Sequence, residues 1–166
     1  MENKTRKLET LVNVAIVLVA VATCAVLARQ YIFNCAAGRS HGPSVGSKIE
    51  LAGMDLSGEE RTLVLVLQKG CHFCTDSGPF YQRLAREAAA RGGRVKLLAV
   101  LPQEADEGRR YLNDLGVPIE RVAQARLGSL DVSGTPTLIL LTRGKVSDVW
   151  VGALTPERET EVLNKL

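Results

Sequence analysis

Three apolar runs do most to limit the folds open to this 166-residue chain: Thr62–Gln68, Val95–Leu101 and Thr137–Thr142 place apolar side chains at consecutive positions. A strand with one face in water alternates apolar and polar residues, so runs without alternation belong to strands covered on both faces. Helical patterns lie between them. From about Cys74 to Arg91, Phe80, Leu84 and Ala88 recur four residues apart and Gly92-Gly93 ends the element; Asp106–Leu115 reads as a second helix stopped by Gly116. Ile119–Ala123 reads as a short strand. Arg143-Gly144-Lys145 makes a tight turn into an antiparallel partner over Val146–Val151, and Thr155, followed by Pro156, Glu157 and Glu159, caps a last helix to Leu166. A small hairpin is expected around residues 53–58, between Ile49–Leu51 and a short piece near Arg61. The pattern predicts an α/β fold, a mixed sheet with helices on both sides.

A fourth apolar run is longer. Leu11–Leu27 carries no charge, has only Asn13 and Thr23 as clearly polar interruptions, and is followed by Arg29, Tyr31 and Phe33. As a helix it spans about 26 Å, and Leu8 and Ile32 can extend it toward the roughly 30 Å of a hydrocarbon core. Lys4, Arg6 and Lys7 favour a cytoplasmic N-terminus. The expected organisation is a cytoplasmic N-terminus and transmembrane signal anchor over residues 1–33, a flexible tether over 34–44 and a folded domain over 45–166. That describes a single-pass protein of the cell membrane whose C-terminal domain is extracytoplasmic, on the periplasmic side. A cleaved signal peptide ending near Val26-Leu27-Ala28 is the competing reading, and a lipoprotein site at Cys24 a third.

Charge excludes one class of partner. Of the 21 basic side chains five precede residue 42, leaving sixteen against sixteen acidic ones in the domain. The basic balance belongs to the N-terminal segment, so no nucleic-acid partner is expected.

Cys71-His72-Phe73-Cys74 stands where the first strand gives way to a helix. Two thiols three positions apart can cycle between dithiol and disulfide. A cysteine at a helix start receives unpaired backbone N–H groups, which favour the reactive thiolate. Cys71 is therefore the expected attacking thiol, Cys74 the resolving one, and His72 a thiol-tuning neighbour. A structural zinc site needs four ligands, and the chain offers no second CxxC, only His41 and His72 with Cys24 and Cys35 far upstream. Covalent haem attachment needs a histidine where Thr75 stands. No metal site, and no cofactor beyond a redox-active Cys71–Cys74 disulfide, is expected; Cys24 and Cys35 read as bystanders.

Strand, CxxC, helix and, much later, Gly134-Thr135-Pro136-Thr137 before an apolar strand together resemble the thioredoxin superfamily over roughly residues 45–166. Pro79, five residues after the second cysteine, matches the proline that kinks the family's active-site helix. Val151-Gly152-Ala153-Leu154 is similar to the family's last strand-to-helix passage. The resemblance implies a thioredoxin-like mixed sheet and a cis Thr135–Pro136 bond whose loop faces the CxxC, which makes Thr135 and Pro136 the expected substrate-binding residues. With the anchor, it looks most like the exported TlpA/ResA-like (redoxin) branch. What this implies is a thiol-disulfide oxidoreductase acting on protein thiols and disulfides, served by a membrane or exported redox partner. The sequence departs from the pattern at Gly70, where a tryptophan is usual, and at His72-Phe73 in place of Gly-Pro. Leu65 replaces thioredoxin's buried aspartate, and Ser77 the acid of TlpA/ResA-like proteins, which leaves Asp76, Lys69 or water for proton transfer. Two alternatives share the scaffold: a redoxin-type peroxidase, whose Pro-x-x-x-Thr-x-x-Cys site is absent, and a module carrying copper(I) on Cys71 and Cys74 with His72.

Overall fold

The non-alternating runs become the inner strands of one sheet. In a computed structural model that describes residues 19, 21, 23, 42–51 and 53–166, β1 (Arg61–Val66) pairs in parallel with β2 (Val95–Leu101), and β3 (Val122–Gln124) extends β2 in parallel. On the other side of β1, β4 (Thr137–Thr142) and β5 (Lys145–Val151) add antiparallel, giving the order β3-β2-β1-β4-β5. The anchor predicted over 11–27, most of the tether, and Cys24 and Cys35 lie outside the described residues, Val19, Val21 and Thr23 excepted. Among the described residues no helix is long and apolar enough to cross a membrane.

The central place of β1 explains why its sequence does not alternate. Leu63 and Leu65, with Leu67 just beyond, enter one core layer, while Val64 and Val66 enter the other. The first layer is closed by helices α2 (Gly78–Ala90), α3 (Ala105–Asp114) and α4 (Pro156–Lys165), through Phe80, Tyr81, Leu84, Leu112 and Val162. The second is closed by Ile49, Leu51 and Leu56 and by a short 3₁₀ helix over Leu127–Leu130. Helices do flank the sheet; on this second face, among the described residues, the helical cover is the short 3₁₀ helix, which the sequence pattern does not predict. Asp131, in the left-handed region at φ 52°, ends it, and the buried Val132 leads to Ser133 and Gly134.

Other elements shift by a few residues. The helix predicted from Cys74 to Arg91 is two, α1 (His72–Asp76) and α2, parted at Ser77. Pro79 sits in the first turn of α2, where its missing N–H leaves no helical bond unmade. β3 starts at Val122, because Ile119 is buried in the helical layer without strand pairing. Arg61 belongs to β1, so the expected hairpin at 53–58 reduces to one Leu51–Met54 bridge. Thr155 caps α4 by position, with no side-chain cap bond; its hydroxyl serves the Glu157 carboxylate instead.

The register between the two middle strands positions the site. Val66, the last residue of β1, pairs with Thr137, the first of β4. The segment leaving β1 and the segment entering β4 therefore emerge side by side.

Candidate active site

The chain leaves β1 through Leu67, whose N–H still reaches the Val100 carbonyl at 2.9 Å, and turns at Gly70 with φ 84°. That backbone conformation suits a residue without a Cβ. The turn delivers Cys71 as the N-cap of α1, with extended dihedrals of φ −79° and ψ 114°. Its sulfur accepts the backbone N–H of Cys74 at 3.3 Å, as a capping side chain does. Its S–H donates to the Thr135 carbonyl at 3.4 Å. Both cysteines are free thiols; Cys71 is partly exposed and Cys74 is fully buried.

Their environments push the two thiols in opposite directions. Burial raises Cys71, but hydrogen bonds from the Cys74 and Thr135 side chains and from the N–H groups of Cys74 and Phe73 outweigh it and hold this thiol below its ordinary value. The S–H bond to the Thr135 carbonyl belongs to the protonated form; on ionisation it is lost while the N–H donors remain. For Cys74 burial comes first, joined by the bond and charge of Cys71, and together they push it up to about 12. One thiol is thus poised to ionise and attack while its neighbour is held neutral.

Opposite the pair, the Thr135–Pro136 peptide is cis. Pro136 is buried and its carbonyl accepts the Gly152 N–H at 2.8 Å, and the Thr137 hydroxyl braces the loop on the Gly134 carbonyl at 2.8 Å. Cys71, Cys74, Thr135 and Pro136 therefore come together from two separate stretches of sequence. His72 is placed apart. Its imidazole is 81% exposed and pairs through Nε2 with Asp76 Oδ2 at 3.0 Å. Phe73 is also exposed, at 59%. Lys69 is engaged with Glu107 at 2.7 Å on the surface. Among the described residues no group of three or more His, Cys, Asp and Glu side chains is arranged to hold a metal ion.

Two residues that the sequence reading passed over also belong to this neighbourhood. Tyr81 on α2 and Tyr111 on α3 share the core layer of Cys74, and the Tyr111 hydroxyl lies 3.4 Å from Thr75 Oγ1. The available signal was spacing, since Tyr81 follows Cys74 by two helical turns.

This sheet order, with a CxxC at the exit of the central strand and a cis-proline loop beside it, is the thioredoxin-like fold that the sequence resembles. Solved structures agree. The chain is similar to a protein designated thiol:disulfide interchange protein DsbE from Chlorobium tepidum, with 25% identity, a TM-score of 0.54, and coverage of 74% of this chain and 94% of that one. It shares the fold of StoA from Bacillus subtilis (16% identity, TM-score 0.51, 74% and 97% covered). It also shares that of a secreted Mycobacterium tuberculosis disulfide oxidoreductase homologous to E. coli DsbE (12% identity, TM-score 0.54, 74% and 96% covered). No family model matches the chain, and no curated protein matches it. Two of these neighbours are named for disulfide chemistry, one as a thiol:disulfide interchange protein and one as a disulfide oxidoreductase.

Proposed function

We propose that this protein is a membrane-tethered thiol-disulfide oxidoreductase that exchanges disulfides with protein substrates on the extracytoplasmic, periplasmic side. The observation that carries the reading is the divided pair: Cys71 accepting the Cys74 N–H and held below its ordinary value, Cys74 buried and held above. In the reducing direction the Cys71 thiolate attacks one sulfur of a substrate disulfide, and the other substrate sulfur leaves with the electron pair and takes a proton. Cys74 then gives up its proton and attacks Cys71 Sγ, which closes the Cys71–Cys74 disulfide and releases the second substrate thiol. Two electrons have passed to the substrate. The oxidising direction runs the same steps backward, and a membrane or exported redox partner resets the pair.

Thr135 and Pro136 would hold the substrate backbone across from Cys71, as the position of their loop supports. His72 would reach the thiol pair only through solvent, since its exposed imidazole is turned to Asp76, so any tuning by it is weak. The tether over 34–44 and the anchor within 1–33 would keep the domain of 45–166 at the membrane. The test is trapping in native membranes. Cys74→Ser should accumulate mixed disulfides with protein partners and Cys71→Ser should not; a Cys74→Ser chain that captures nothing would refute the proposal.

A further inference from the structure

Cys74, Tyr81 and Tyr111 are buried in one core layer beneath the active-site loop, with Cys71 packed against its edge. The Tyr81 ring is 1% exposed, and its hydroxyl is enclosed without a hydrogen-bond partner. The nearby Ser77 hydroxyl spends its one proton on the Phe73 carbonyl at 2.8 Å and so has none to offer the phenol oxygen. A buried, unpaired phenol is costly to a resting fold, and such groups are rare. Removing it would need only phenylalanine.

Its place gives it a use. Ser77 N donates to the Phe73 carbonyl at 3.2 Å and Tyr81 N to the Ser77 carbonyl at 3.1 Å, so α1 runs into α2 in nearly helical step. Residues seven apart then share a face, and a helical aromatic side chain leans toward the N-terminus, which carries the phenol back toward Cys74. Burial holds the phenol protonated against a smaller opposing pull from the Ser77 side chain, and the charge that forms on Cys74 adds to the effect of burial. The other groups offered for proton transfer are elsewhere: Asp76 is on His72 and Lys69 on Glu107, both at the surface. Among the described residues the buried polar side chains other than tyrosines are Thr62 and Thr137, so no carboxylate is buried beside the pair.

We infer that the Tyr81 phenol is the hydrogen-bond donor that stabilises the thiolate formed on Cys74 during disulfide exchange. The inference rests on the proposed exchange chemistry. In the resting dithiol the O–H has no partner; when Cys74 ionises it gains one, so the interaction is realised where charge develops. When the pair closes, the Cys74 proton passes to water or to the departing substrate thiolate, the S–S bond to Cys71 forms, and the substrate sulfur leaves with the electron pair. Tyr81 neither ionises nor changes oxidation state. In the opposite direction it stabilises Cys74 as the leaving thiolate.

The groups able to shape the pH profile are few. Cys71, Cys74 and Tyr111 act on Tyr81 directly. Arg83 and Glu159, where α2 meets α4, pair with each other, and β2 brings only the exposed Lys96. On α3, Asp106 pairs with Arg109 and Glu107 with Lys69, while Arg110 and Asp114 are exposed.

The experiment loads Cys71 of the reduced full chain in detergent with a glutathionyl group and follows its release as Cys74 closes the disulfide, from pH 6 to 10. Tyr81→Phe should slow closure about tenfold at pH 7 and move its profile to higher pH. Alkylation of Cys71 should be unchanged, and the melting temperature equal or higher, because an unpaired buried hydroxyl has been removed. Fluorotyrosine at position 81, which keeps the O–H and strengthens it as a donor, should close at least as fast as tyrosine. Closure by Tyr81→Phe at the natural rate and pH profile would overturn the inference, as would slower closure with fluorotyrosine. If the natural chain itself fails to release glutathione, the exchange chemistry fails with it, a result distinct from either of these.

Discussion

The backbone N–H of Cys74 donates to Cys71 Sγ at 3.3 Å while the Cys74 side chain is wholly buried. One residue thus favours ionisation of its partner with its main chain and withholds its own thiol from solvent. Iodoacetamide should therefore modify Cys71 of the reduced protein and spare Cys74 at pH 7. The rate at Cys71 should reach half its maximum below the pH of about 8.5 that a free cysteine needs. Peptide mass spectrometry across pH checks both statements, and a midpoint at or above the free value would contradict the first.

Alkaline stability follows from the same pair with the sign reversed. The folded-state value of Cys74 is raised to about 12, so the stability it contributes is complete below the unfolded value of about 8.5 and is lost as pH climbs toward 12. Cys71 is lowered, so its contribution is present above the unfolded value and is lost as pH falls through the folded one. Reduced protein should lose up to about 1.4 kcal/mol per pH unit through the Cys74 window. Urea unfolding at pH 8 and pH 10 should show a smaller loss for Cys74→Ala than for the natural chain.

Gly70 offers a test of the approach to the site. Its φ of 84° lies in the left-handed region, and a Cβ there would meet nothing within 4 Å. Gly70→Ala should therefore cost about 1 kcal/mol through the backbone alone. Denaturant midpoints would measure it, and an unchanged midpoint would show that the turn tolerates a side chain.

Gly108 tests the helical layer. A Cβ at this position of α3 would stand 3.0 Å from Val122 Cγ1 and 3.1 Å from Leu101 Cδ1. Gly108→Val should overpack the contact with β2 and β3 and cost about 1–3 kcal/mol by thermal unfolding.

The strands that fill the core were the most legible part of the sequence. β2 and β4 fall where their runs predict, because an apolar strand covered on both faces leaves a pattern no other element shares. The cis-proline loop was reached only through resemblance, since neither Thr135 nor Pro136 carries a local sign of facing a cysteine 64 residues away. His72 was placed by adjacency in sequence, but adjacent residues at a helix start point in different directions, and this one points to water. Tyr81 escaped notice for the converse reason. It sits among apolar neighbours on a helix face, and its hydroxyl acquires meaning only once the face is known to carry Cys74.

The Val66–Thr137 rung has a further consequence. The nucleophile and the loop opposite it hang from two sides of one inner pair of the sheet, so the gap between them is set where the fold is hardest to deform. The 3₁₀ segment, the β5 hairpin and the approach through residues 42–51 lie outside that rung. Lineages can therefore rework those outer surfaces to meet new partners while the thiol keeps its chemistry, and partner choice and reactivity become separately evolvable traits.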